Sequence, residues 1–136
     1  MTVADASFLT SLFIPGDANH LEARSFLTEH ARREGVGLAI PTIAIAEAAS
    51  GFRQQGVPAD RIPAMLRRLR QATIYHPVDL PLALRAANIT AERTIRGCDA
   101  VYVALAERLG EPLVTFDRQQ ARAADGLVQV QELGAE

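Results

Sequence analysis

The apolar positions of this chain fall into two alternating kinds of segment. "TVAD" (2–5), "GLAI" (37–40), "TIYHPV" (73–78) and "LVTF" (113–116) are short apolar runs bounded by turn residues, the pattern of strands. "LVQVQEL" (127–133) alternates apolar and polar residues as an edge strand does. Between them lie stretches with helical spacing. In "GDANHLEARSFLTEHARREG", Ala23, Leu27 and Ala31 recur at i, i+4 and i+8; Asp17 or Asn19 opens the helix and Gly35 is its expected C-cap. A helix over "IAIAEAASGFRQQ" starts at Pro41-Thr42 and ends at Gly56-Val57-Pro58. "ADRIPAMLRRLRQ" sets Ile62, Met65, Leu66 and Leu69 at i, i+3, i+4 and i+7, an amphipathic stripe with Arg67, Arg68 and Arg70 largely off it. Asp79 caps "LPLALRAANITAERTI". The helix from Asp99 to Leu109 is apolar nearly all round, which makes it central, and Gly110 and Pro112 stop it.

Strands alternating with helices predict a three-layer α/β/α fold around a five-stranded, mainly parallel sheet. A length of 136 residues predicts one domain over 1–136. No apolar run is long enough to cross a bilayer, and the first residues lack the basic start and cleavage pattern of a secretory signal. The single Cys98 has no internal disulfide partner, in keeping with a reducing compartment. The expectation is a cytoplasmic protein with no membrane contact.

A net charge of −2 argues against a molecule that wraps nucleic acid in a basic surface. All 14 basic residues are arginine, which excludes chemistry that needs lysine, whether a phosphate-loop lysine or a Schiff base. Three scattered histidines and one cysteine give no zinc spacing.

The acids carry the candidate chemistry. In a parallel sheet every strand points its C-terminal end at one edge, the following helix starts there, and ligands bind there. Asp5 ends the first strand, Asp117 ends the fourth, Asp99 starts the central helix, and Glu47 lies early in the helix after the second. Each alone has a plain structural reading: Asp99 as an N-cap, Asp117 and Asp5 as turn residues, Glu47 as a solvated side chain. Together they converge on one rim. At an intermediate dielectric each close pair of carboxylates repels by on the order of several kcal/mol. Protons or cations must therefore neutralise the group, and an all-oxygen donor set favours Mg²⁺ or Mn²⁺. Phosphodiester hydrolysis by metal-activated water is the chemistry such a site supports.

"VADASFL", the acid in "IAEAASGF", and "GCDAVYVALAERLGEPLVTFD" resemble the PIN-domain family, and among its branches the VapC-like toxin ribonucleases of bacterial toxin–antitoxin pairs. The resemblance runs nearly the whole length; "DAVYVALA" followed by "LVTFD" is its most specific part. It implies an endoribonuclease dependent on Mg²⁺ or Mn²⁺, with Asp5, Glu47, Asp99 and Asp117 catalytic and Asp5, Asp99 and Asp117 holding the cation. Ser7 and Thr115 are expected to orient carboxylates from behind. The resemblance also implies a homodimer and a cognate antitoxin that blocks the acids with an arginine or an extended segment.

Arg93 and Arg96, just ahead of Asp99, are expected to bind RNA phosphates, with Arg53, Arg67, Arg68 and Arg70 as further candidates; for the last three a solvated helix face is the favoured explanation. Cys98 is expected to be a small buried thiol, and Phe8, Phe52 and Phe116 core residues. Two other functions compete: a non-catalytic RNA- or protein-binding module of the same fold, and a phosphate-ester hydrolase with Asp5 as nucleophile. The second needs an acid two residues on, where this chain has Ser7.

Overall fold

The computed structural model describes residues 1–34 and 37–134. Five strands, β1 (Thr2–Ala4), β2 (Leu38–Pro41), β3 (Thr73–His76), β4 (Leu113–Thr115) and β5 (Val130–Glu132), form one parallel sheet in the order β3-β2-β1-β4-β5. β1 lies at its centre, with Val3 opposite Ala39 on one side and Leu113 on the other. β1, β2 and β4 are buried at every position, which is why they are unbroken apolar runs rather than alternating ones. The outer strand β3 leaves Ile74 and Tyr75 exposed. β5 is the opposite edge, as its alternation predicts.

Seven helices connect and cover the strands: α1 (Ala6–Phe13), α2 (His20–Glu34), α3 (Ile43–Gln54), α4 (Ile62–Ala72), α5 (Leu80–Glu92), α6 (Gly97–Leu109) and α7 (Arg118–Ala124). α6 packs against β1, β2 and β4, and every residue from Ala100 to Ala106 is buried. Its many small side chains let it approach the sheet closely. Gly110 ends it at φ 66°, a left-handed conformation that glycine adopts without a Cβ clash. Among the described residues no helix is long and apolar enough to cross a membrane.

Several boundaries differ from the sequence pattern. α1 and α7 were not expected. α1 starts straight after β1, because Asp5 is its N-cap rather than the last strand residue. α6 starts at Gly97 with Arg96 at the N-cap position, so Asp99 sits inside the first turn and does not cap it. That shift leaves Cys98 exposed, correcting the expectation of a buried thiol. β3 stops at His76, β4 at Thr115, and α5 at Glu92. The C-cap expected at Gly35 lies outside the described residues.

Candidate active site

Because all five strands are parallel, the turns after β1, β2 and β4 open on one edge of the sheet. Asp5, Glu47, Asp99 and Asp117 all line a single cleft of about 480 Å³ there. Four chain segments up to 112 positions apart thus bring their carboxylates to one place (117 − 5 = 112).

Asp5 is the innermost, at 2% exposure. Its Oδ1 accepts from the Ser7 hydroxyl at 2.7 Å and the Phe8 amide at 3.0 Å, and its Oδ2 accepts from the Thr115 hydroxyl. Burial pushes its pKa up to about 6, and the nearby Asp117 charge adds to that; the Thr115, Phe8 and Ser7 donors pull the other way. Ser7 and Thr115, expected to orient carboxylates, both bond Asp5. They also tie the two central turns together: the Phe116 amide donates to Ser7 Oγ at 3.1 Å and the Asp117 amide to Thr115 Oγ1 at 2.8 Å.

Asp117 caps α7, its Oδ1 accepting from the amides of Gln119 at 2.9 Å and Gln120 at 3.2 Å. Asp5 and Asp117 are therefore helix caps and walls of the cleft at once. Each sits at a helix N-terminus, where the backbone dipole favours a negative charge. Asp99 Oδ2 accepts from Arg96 Nε at 3.0 Å, and Gln120 Nε2 donates to the Asp99 carbonyl at 3.1 Å, joining α6 to α7. Glu47 Oε1 accepts from the hydroxyl of Tyr102 at 2.6 Å. Burial, reinforced by Glu47, drives the Tyr102 pKa upward.

Arg96 also lines the cleft. Its hydrogen bond and ion pair with Asp99 raise its pKa, and Asp117 and Glu47 add to the effect. Arg93 goes elsewhere. Its Nη1 donates to the carbonyls of Ala123, at 2.9 Å, and Asp125, so it ties down the C-terminal end of α7 and does not line the cleft. Arg53 Nη1 likewise donates to the Val57 carbonyl at 2.8 Å, beyond the end of α3. Arg67, Arg68 and Arg70 are exposed on α4, away from the acids. Phe8 and Phe52 are core, whereas Phe116 is only partly buried and forms part of the cleft wall.

The donor set is all oxygen and suits a hard divalent cation. Among the described residues, however, no three His, Cys, Asp or Glu side chains stand close enough to form a ready-made metal site. Each of the four carboxylates is already held by a donor of the chain, and Asp99 by a guanidinium. The fit lies in donor chemistry and convergence on one cleft, not in a preformed shell.

Tyr102 and Gln120 had no predicted role. Tyr102 was legible in part: it falls at i+3 from Asp99 and i+4 from Cys98 on a helix, hence on the same side. Gln120 had no signal, since α7 itself was not expected.

The PIN-domain family profile matches residues 2–126. No curated protein matches the chain. Among the solved structures that share the fold are the following three. The sarcin–ricin-loop-cleaving toxin VapC20 of Mycobacterium tuberculosis superposes with a TM-score of 0.75 at 21% identity, covering 96% of this chain and 99% of that one. A toxin–antitoxin complex from Klebsiella pneumoniae gives 0.73 at 19%, covering 96% of each chain. FitAcB from Neisseria gonorrhoeae gives 0.67 at 20%, again covering 96% of each.

Proposed function

The chain belongs to the PIN-domain family, and from that premise we propose that it is an endoribonuclease dependent on Mg²⁺ or Mn²⁺, the toxin of a toxin–antitoxin pair. One observation carries the reading: four carboxylates from four separate segments wall one cleft, and the innermost, Asp5, is buried and still surrounded by hydrogen-bond donors. Helix capping accounts for Asp5 and Asp117 singly, but not for the convergence of all four acids on one cleft, which a cation would complete. Asp5, Asp99 and Asp117 are the residues to hold the cation, which when bound supplies charge neutralisation and Lewis acidity to phosphodiester hydrolysis.

The chain's own groups do the rest. Ser7 and Thr115 keep the Asp5 oxygens oriented. Glu47 takes up the proton lost by the attacking water. Arg96 is placed to turn from Asp99 to a phosphate of the RNA. Arg93 has no part in this, its guanidinium being bound to backbone. A neighbour of the same fold described as a sarcin–ricin-loop-cleaving toxin, and another seen as a toxin–antitoxin complex, support RNA as substrate and an antitoxin as partner. A homodimer and a cytoplasmic setting belong to the same proposal.

The test is RNA cleavage by the purified chain with Mg²⁺ or Mn²⁺. The expected result is phosphodiester cleavage that EDTA and Asp99→Asn abolish. Intact RNA together with no calorimetric Mn²⁺ binding points instead to a non-catalytic binding module. Turnover of a small phosphomonoester but not RNA points to the phosphate-ester hydrolase, a reading that the occupied Asp5 oxygens and Ser7 already disfavour.

A further inference from the structure

Tyr102 is fully buried in the middle of α6, and a buried tyrosine needs a partner for its hydroxyl. Its partner is not a core backbone carbonyl. It is the carboxylate of Glu47, 55 positions away on α3, at 2.6 Å. One turn earlier on α6, at i−3, lies Asp99. One rigid helix thus carries one acid of the cleft and grips a second.

A glutamate on a helix beside solvent has three side-chain torsions and loses them all when fixed. Nothing in α3 itself holds Glu47 against the cleft wall. The bond to Tyr102 does, from beneath, and it does so with a neutral donor, adding no charge to a site already crowded with it.

We propose that Tyr102 is a positioning residue for the reaction: its buried hydroxyl fixes Glu47 relative to Asp99, so that α6 sets the spacing between the proton acceptor and one of the acids that hold the cation. This rests on the nuclease reading. It assigns a task to a side chain that otherwise reads as core packing.

The two tyrosines of the chain make a built-in test. Tyr75 is exposed on the edge strand β3 and serves as the reference. With tyrosine labelled at Cζ, titration of Mg²⁺ into the wild-type protein should shift the Tyr102 signal and leave Tyr75 unmoved. Tyr102→Phe should melt within a few degrees of wild type in the absence of cation. It should bind Mn²⁺ within about twofold of wild type by calorimetry and cleave RNA at least about tenfold more slowly at saturating cation, because a proton acceptor must be held within reach of the proton it takes.

Tyr102→Phe that cleaves like wild type, beside a defective Glu47→Gln, overturns the proposal. So does a Mg²⁺ titration that moves neither tyrosine signal while calorimetry records binding, and this arm decides the matter if Tyr102→Phe does not fold. Wild-type protein that neither binds Mn²⁺ nor cleaves RNA overturns the nuclease reading itself, and this proposal with it.

Discussion

Thr115, at the end of β4, donates its hydroxyl to Oδ2 of Asp5, the residue that follows β1, across 110 positions of sequence. The same hydroxyl oxygen accepts from the Asp117 amide at 2.8 Å. One small side chain thus couples the two acids that follow neighbouring central strands. Thr115→Val keeps the shape and removes the donor. It should lower RNA cleavage about tenfold or more, as loss of an outer partner does at other metal sites. Thr115→Ser should restore most of the rate. Single-turnover kinetics on the three proteins check this; equal rates would mean that Thr115 only packs.

The raised pKa of Asp5 has two consequences of opposite sense. Folded Asp5 takes up its proton near pH 6, against 3.8 for the free group. Its contribution to stability is therefore full below pH 3.8 and is lost as the pH rises through 6, by about 3 kcal/mol for a shift of this size. Cation binding needs the carboxylate, so Mn²⁺ affinity should climb about tenfold per pH unit below 6 and level off above it. Melting curves and calorimetry from pH 4.5 to about 8 measure both slopes. Asp5→Asn, which can still cap α1, should flatten them; slopes unchanged in that variant would assign the titration to another group.

Arg96 is 80% exposed and pairs with an Asp99 that is only 15% exposed. It competes with any cation for Asp99, yet it is also the arginine best placed to meet a phosphate. Arg96→Gln should therefore move two constants in opposite directions. Mn²⁺ affinity should rise by no more than about fivefold, since an exposed ion pair is worth at most ~1 kcal/mol. The KM for RNA should increase, and the salt slope of binding should shrink by about one. A variant weakened in both respects would contradict the competition.

Glu47→Gln, Asp99→Asn and Asp117→Asn each remove a charge with little change of shape. Each should lower cleavage by on the order of 100-fold or more, because charge stabilisation at the reacting phosphate is the main contribution such a site makes. None should lower the melting temperature appreciably, since each relieves repulsion and the amide at 117 can still cap α7. A fall of many degrees for Asp99→Asn would make it a structural residue, held by Arg96 for stability alone.

The site was more legible in the sequence than the elements that build it. Asp5, Glu47, Asp99 and Asp117 could be placed on one rim because strand ends and helix starts in a parallel sheet share an edge, a rule that tolerates boundary errors of several residues. "ASFLTSLF" hid α1 because no breaker separates it from β1; the Asp5 side chain makes the separation by capping. "RQQARAA" is too short and polar to be a helix alone. α7 exists because Asp117 caps it and β4 and β5 give it a surface. Arg93 and Arg96 look alike three positions apart, and only the fold sends one to backbone carbonyls and the other to the acids.

What the sequence determined by itself was the order of apolar runs and helical stripes, and with it a parallel sheet whose loops gather acids at one edge; hydrophobic periodicity is local and survives without coordinates. What only the tertiary structure decided was which donors hold those acids: Ser7 and Thr115 on Asp5, Tyr102 on Glu47, Arg96 on Asp99. Hydrogen bonds form over about 3 Å and depend on direction. A shift of one residue in the start of a helix turns a side chain through about 100°, so no pattern read along the chain can assign them.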